Sequence, residues 1–274
     1  MRVALICVNY NSNRETRRYL QSLTRLEHVS KLQVVVVDNP AAGAPAFDGT
    51  EFRRALTVRV LRPDCNLGYL GGAAAGFREH VAPHGLPDFC IISNVDLEIE
   101  QRDFLTRLEA RLSEDRMGII APSIRSRLTS VEQNPFLRVR PPRLKMHGYR
   151  WLFASYPIAA TCERLSRLRK LVRGRSRKEL APVAADIYAP HGSFVVLTQR
   201  FFSEGGSLEY RPFLFGEEIH LGEQVRRMNL RTRFCPDLQV WHDEHVSVGR
   251  YRSKTMMRHA YVAARFCAEE YFSD

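Results

Sequence analysis

The chain has no apolar run approaching the ~20 residues needed to cross a bilayer as a helix. Its six cysteines, at 7, 65, 90, 162, 235 and 267, include no CxxC pair and no close cluster. That spacing argues against a zinc site and a disulfide framework, and for reduced thiols in a cytosolic protein. The opening Met1–Val8 is apolar but is followed by no small-residue cleavage site, so it reads as a buried strand rather than a signal sequence. Outside one segment there is also no excess of positive charge. Residues 138–178 carry thirteen Lys/Arg against one acid, Glu163, a net +12; the whole chain is +11, which leaves the remainder at −1. A nucleic-acid-binding protein that is basic throughout is therefore disfavoured.

What is present is an ordinary globular composition, 45% hydrophobic and 26% charged, over 274 residues. The first hundred residues alternate strands with helices. Val3–Val8 is a short continuous apolar run, the pattern of a strand covered on both faces, and Leu32–Val37, Thr57–Leu61 and Phe89–Ile92 read as three further strands. Arg14–Leu23 and Asp103–Leu112 have helical spacing. The alternation predicts a mostly parallel, Rossmann-like sheet with helices on both sides. From about Ile124 to Ala185 the periodicity gives way to Pro, Arg and aromatics. It resumes with a strand at Ser193–Leu197, helices at Gln199–Glu204 and Glu217–Met228, a short strand at Thr232–Phe234, and a closing helix at Thr255–Tyr271.

In such sheets ligands bind beyond the carboxyl ends of the strands, and polar residues gather there: Asn9, Tyr10 and Asn11, then Asp38, then Asn94 and Asp96. Asn94-Val95-Asp96 reads as a turn when taken alone. A hard cation at a diphosphate also takes one or two carboxylates together with phosphate oxygens, and Asp96 is placed to supply one. Asn66–Gly76 is a run of small residues between a strand and a helix. Its glycines can let backbone N–H groups approach a phosphate or sugar, or simply pack a helix against the sheet. It has no Walker lysine and does not fit GxGxxG. Phe213–Glu218 ends in two adjacent carboxylates, Glu217 and Glu218, which open a helix. Acids are favoured in a first turn in any case, but one held ready to take a proton from a hydroxyl is also a general base. Val240-Trp241-His242 ends an extended stretch on a histidine.

These segments, in this order, resemble the family 2 glycosyltransferases of the GT-A fold, particularly the bacterial rhamnosyl- and galactosyltransferase-like branch. The resemblance runs from Val3 to about Tyr271, weakest over 124–185. Cys7-Val8-Asn9-Tyr10-Asn11 and Val34–Asn39 are similar to that family's first two strand ends, where nucleotide base and ribose bind. Asn66–Gly76 resembles its Asn-x-Gly-x-x-Gly-Gly stretch. Ser93–Asp96 resembles the Asn-Pro-Asp form of its metal-binding motif, His191–Phe194 its sugar-pocket segment, and Phe213–Leu221 its Glu-Asp-x-Asp-Leu block; His242 fits the late metal-site histidine. The chain departs from the pattern at Glu218 for Asp, His220 for the second Asp, and Val95 for Pro.

The resemblance implies one GT-A domain over 1–274, with a nucleotide-sugar-binding half over 1–100 and an acceptor half over 101–274. It implies an inverting transfer of a hexose or deoxyhexose from dTDP-rhamnose or a UDP-hexose to a hydroxyl of a lipid-linked or cell-surface saccharide. Glu218 would be the base and Glu217 would position the acceptor. Asp96 and His242 would hold Mn²⁺ or Mg²⁺. Val8, Tyr10, Asn11, Asp38, Asn66, Gly68, Gly71, Asn94, Asp96 and Gly192 would line the nucleotide-sugar site. A nucleotidyltransferase would want a basic phosphate loop near the N-terminus, and Asn9–Asn13 offers none; a non-catalytic nucleotide-sugar-binding protein would keep the fold without the base. In the basic segment, Thr161–Val172 places Leu165, Leu168 and Leu171 on one helical side among Arg164, Arg167, Arg169 and Lys170, with Trp151, Leu152, Phe153 and Tyr156 upstream. That pattern suits an anionic membrane surface, and hence a cytoplasmic enzyme peripheral to the membrane. RNA binding is the alternative for the segment.

Overall fold

A computed structural model describes residues 1–155, 157, 161, 182–243 and 253–273. Its centre is one nine-stranded sheet: β1 (Val3–Tyr10), β2 (Leu32–Asn39), β3 (Thr57–Leu61), β4 (Phe89–Ser93), β5 (Leu97–Glu98), β6 (Met117–Ser126), β7 (Ala185–Ile187), β8 (Phe194–Thr198) and β9 (Arg231–His242). The order is β3-β2-β1-β4-β8-β6-β9-β5, with β7 also paired to β9. The first four strands are parallel. β8 runs antiparallel to β4 and β6, β6 and β9 are parallel, and β5 and β7 run antiparallel to β9.

The continuous apolar runs mark burial on both faces. Alternate side chains of a strand point to opposite sides, so Leu5, Cys7, Val34, Val36 and Ile91 meet Tyr19, Leu20 and Leu23 of α1 (Asn13–Leu23) and Phe104 and Leu108 of α3 (Phe104–Glu109). Ala4, Ile6, Val35, Val37 and Ile92 face the other way, onto α2 (Tyr69–Gly76), α5 (Gln199–Ser203) and α6 (Glu217–Arg227). A third cluster joins Met146 of α4 (Arg143–Ala154) to Ile219 and to Cys267, Ala268 and Tyr271 of α7 (Lys254–Tyr271).

Several sequence expectations need correction. The small-residue run does not lead into a helix; from Tyr69 onward it is the helix. A Cβ on Gly76 would sit 2.9 Å from Ile6 and Val37, and one on Gly72 would sit 3.2 Å from Val8, so the small residues seat α2 directly on β1 and β2. The predicted Asp103–Leu112 helix is regular only over Phe104–Glu109. The predicted Thr232–Phe234 strand is the start of a twelve-residue one, whose polar residues and Pro236 hide it from a periodicity argument. β6 escapes because its partners are remote in sequence. Residues 162–172 of the predicted Thr161–Val172 cationic helix lie outside the described residues. The five cysteines among the described residues are unbridged, four of them buried. No described helix is long and apolar enough to cross a membrane.

Glu223 ties the irregular segment to the core. It is fully buried, accepts from Arg140 Nε at 2.6 Å, Arg226 Nε at 2.9 Å and Tyr188 Oη at 2.7 Å, and so fixes residues around 140 and 188 to α6.

Candidate active site

The topology explains why residues distant in sequence share one edge. β1, β2 and β4 are parallel, so their carboxyl ends bring Tyr10, Asn39 and Ser93 to the same side. Because β8 runs the opposite way, the turn preceding it, His191–Ser193, arrives there too, with Phe194 opposite Ser93. β6 reverses direction again and β9 follows it in parallel, which puts the end of β9 there, His242 opposite Ser126. The short β5–β9 ladder then sets Leu97 opposite His242 and lays Asp96 beside it.

His242 Nε2 lies 3.5 Å from Asp96 Oδ2. Its Nδ1 is 2.7 Å from Gln133 Oε1; since that oxygen only accepts, Nδ1 carries the proton. Nε2 faces the carboxylate, so that a ring nitrogen and a carboxylate oxygen are placed to share a cation and are steadied from behind by Gln133. Among the described residues no group of three or more His, Cys, Asp or Glu gathers to hold a metal. The pair therefore fits a cation that draws its other ligands from a bound diphosphate or water, and does not amount to a closed structural site. Asp243 backs this corner: its N–H donates to the Asp96 carbonyl at 2.9 Å, and its carboxylate meets Arg18 at 2.5 Å and Arg127 at 3.4 Å.

Gly192 is the hub. A Cβ there would come within 2.8 Å of Glu218 Oε1, so glycine is what lets the carboxylate lie against the backbone. Tyr69 Oη donates to the Gly192 carbonyl at 2.6 Å. On one side, the His191 ring stands 6.1 Å from the His242 ring; on the other, the Ser193 carbonyl accepts from Asn94 N–H at 2.8 Å. One three-residue turn thus links the carboxylate pair, the Asp96–His242 pair and the small-residue helix. His191 is pushed down to about 4, first by burial and then by His242, and is neutral at physiological pH.

The two carboxylates differ. Glu217 is buried, and its Oε1 accepts from Phe215 N–H at 2.9 Å. Burial, with repulsion from Glu218 added, pushes its carboxyl up to about 8. Glu218 is partly accessible; burial of its carboxyl raises it too, opposed by backbone hydrogen bonds from Glu218 and Gly192. Both carboxyls are thus held above the ordinary carboxylate range, and Glu217 is largely protonated at neutral pH. Gly216, at φ +82°, and Phe215, at φ +72°, form the turn that opens α6. His220, where the family pattern has a second Asp, points away from this edge: its Nδ1 is 2.5 Å from Tyr271 Oη and its Nε2 3.0 Å from Gln224.

At the first two strand ends, Asp38 is engaged by Asn9 Nδ2 and Phe47 N–H, both at 2.7 Å, with Arg62 Nε 3.7 Å away. A cleft of about 150 Å³ opens beside it, lined in part by Asn11, Asn39 and Arg62. Tyr10 is 55% exposed at the mouth of this edge. Val8 instead packs under α2. Asn66 Oδ1 accepts from Gly68 N–H at 2.9 Å. Gly68, at φ +74°, lies so close to Phe213 that a Cβ would be 2.1 Å from its carbonyl oxygen; a Cβ on Gly71 would meet only Leu67 Cβ, at an ordinary 3.7 Å. Of these two glycines, then, Gly68 serves a backbone contact and Gly71 is the one open to a ligand. A larger cavity of about 300 Å³ sits at the opposite edge, near Phe89, Met117 and Thr198, away from all of these groups. Gln133, Tyr69 and Arg62 escaped the sequence reading; the first lies 109 residues from the histidine it orients, and no local pattern marks it.

No protein-family model matches the chain. In sequence it is 25% identical over 269 residues to the N-acetylglucosaminyl-diphospho-decaprenol L-rhamnosyltransferase of Mycobacterium tuberculosis, covering 93% of this chain and 80% of that protein. In structure it is similar to GalNAc-T7 bound to UDP, GalNAc and Mn²⁺, with a TM-score of 0.61 at 15% identity over 99% of this chain and 49% of the other. It is similar also to S. aureus TarS 1–349 bound to UDP-GlcNAc, with a TM-score of 0.58 at 12% identity over 97% and 67%; of the longer TarS chain it spans 37%. The mannosyltransferase PcManGT of Pyrobaculum calidifontis, bound to GDP-Man and Mn²⁺, gives 0.54 at 15% identity over 97% and 73%. The structural likenesses establish the fold, and the sequence likeness lies with a rhamnosyltransferase. The chain thus has the fold of these GT-A glycosyltransferases and a sequence likeness to a rhamnosyltransferase.

Proposed function

We propose that the chain is an inverting glycosyltransferase that moves a deoxyhexose or hexose from a nucleotide sugar, dTDP-rhamnose or a UDP-hexose, to a hydroxyl of a lipid-linked saccharide. The observation that carries this is the His191–Ser193 turn, which holds Glu218 and the Asp96–His242 pair at one place. Support for the acceptor class comes from the rhamnosyltransferase relative, whose name describes a lipid-diphosphate-linked N-acetylglucosamine.

Asp96 and His242 would hold a divalent cation, Mn²⁺ or Mg²⁺, and a cation so bound supplies Lewis-acid neutralisation of the leaving nucleoside diphosphate. Glu218, partly accessible and fixed against Gly192, takes the proton of the acceptor hydroxyl. As that oxygen bonds to the anomeric carbon, the bond from carbon to the diphosphate oxygen breaks and its electron pair leaves with the diphosphate. Attack from the face opposite the leaving group inverts the centre. Glu217 is turned inward and hydrogen-bonded to Phe215, which makes it a positioning residue that shapes the turn and the charge beside Glu218. Asn11, Asp38 and Asn39 border the cleft for the base and ribose, with Tyr10 at the same strand end.

Glu218→Gln tests the assignment, because the amide keeps the shape and can still accept from Gly192 N–H but cannot take the proton. Turnover should fall by roughly 10²–10⁴ while donor affinity stays unchanged. A near wild-type rate would remove Glu218 as the base.

A further inference from the structure

Helix α4 turns large apolar side chains to solvent on the side away from the core. Leu144 is 84% exposed and Trp151 71% exposed. Seven residues apart, they stand on one side of the helix two turns apart, with exposed Gly148 between them. The inner side is already satisfied: Met146 is buried with Ile219, Cys267 and Ala268. The outer stripe therefore contributes nothing to folding that the structure shows. Val139, just before the helix, is exposed as well. Cations border the stripe. Arg143 and Lys145 are exposed on either side of Leu144, and the Arg150 guanidinium lies 5.7 Å from the Trp151 ring centre while also pairing with Glu269 at 3.4 Å. The helix opens the segment whose net charge is +12 in a chain otherwise at −1.

We propose that this face of α4 docks the enzyme on an anionic phospholipid surface, Leu144 and Trp151 entering the interface and the flanking cations lying at the headgroups. Trp sits well at the boundary between headgroups and acyl chains, and basic residues around an apolar stripe draw a helix to anionic lipid. Phosphate-backbone binding would use the cations but leave Leu144 and Trp151 unexplained; the bilayer accounts for both. The placement fits the function proposed above, on which this inference rests only for its purpose. Met146, on the inner side of α4, packs with Ile219, the neighbour of Glu218. The docked face therefore lies one helix layer from the base, within reach of an acceptor anchored in the same bilayer.

The test uses the full chain in flotation with vesicles of phosphatidylglycerol and phosphatidylcholine, against phosphatidylcholine alone, at low and high salt. The chain has two tryptophans, so emission of Trp151 can be followed in a Trp241→Phe background. Wild type should float with the anionic vesicles, less so at high salt, and its emission should shift to the blue. Arg143→Gln with Lys145→Gln should lower partitioning about 30-fold, as expected for two interfacial cations lost. Leu144→Ser with Trp151→Ser should remove the salt-resistant part of binding. Both variants should keep the wild-type melting temperature and transfer to a soluble acceptor. Equal flotation of wild type and both variants would overturn the proposal. So would retention on an RNA oligonucleotide without flotation, or a dimer that the Leu144/Trp151 variant dissolves in a protein that ignores vesicles. Transfer without flotation sinks the docking alone, and flotation without transfer sinks the function alone.

Discussion

Glu217→Gln separates a buried, proton-bearing carboxyl from an ordinary first-turn acid. An acid at a helix start is stabilised when ionised, yet here burial and Glu218 push Glu217 from 4.5 up to about 8. In the unfolded chain the group ionises at its ordinary value. Between those two pH values the unfolded state therefore binds fewer protons, and stability falls as pH rises. Below about pH 4.5 both states are protonated and the effect vanishes; above about pH 8 it is complete. At about 1.4 kcal/mol per unit of displacement, the ionised form in place costs roughly 3–5 kcal/mol. Glutamine cannot ionise, and its amide oxygen can still accept from Phe215 N–H. Against wild type, the variant should thus melt at nearly the same temperature near pH 5 and on the order of 10 °C higher near pH 9, at 2–4 °C per kcal/mol for a domain of this size. Calorimetry or circular dichroism across that range reads the difference, in which titrations remote from the carboxylate pair cancel. A constant gap between variant and wild type from pH 5 to 9 would refute the reasoning, because it would mean that Glu217 ionises alike in both states.

Two more outcomes follow from the same edge of the sheet. Asp96→Ala should abolish the Mn²⁺ enhancement of UDP or dTDP affinity measured by titration calorimetry, because a hard-cation ligand is lost; an enhancement equal to wild type would dismiss the Asp96–His242 pair as the metal site. Gly68→Ala should cost about 3 kcal/mol or more, since its backbone lies in a region open essentially to glycine and its Cβ would press on the Phe213 carbonyl. Gly71→Ala, whose Cβ would make only an ordinary 3.7 Å contact with Leu67, should be near neutral, so equal melting of the two variants would contradict the packing described.

The sequence alone determined the first hundred residues. Val3–Val8, Leu32–Val37, Thr57–Leu61 and Phe89–Ile92 became strands with ends displaced by at most two residues; Val3–Val8 and Phe89–Ile92 were legible because a strand buried on both faces must be apolar throughout, and few other structures demand that. Glu217 and Glu218 were legible for a similar reason: a glycine followed by two acids marks a helix start from local chemistry. The remainder of the chain was less legible. β6 and most of β9 are long strands with a bulge and polar positions, stable only because they pair with each other across more than a hundred residues. His220 occupies a motif position yet turns to Tyr271, a choice made by the packing of α6 on α7. The convergence on Gly192 was likewise a product of tertiary structure. Residues 69, 94, 192, 218 and 242 meet only because β8 reverses direction in the sheet and β9 runs back to the same edge, and strand direction is settled by long-range pairing that no local stretch of sequence records.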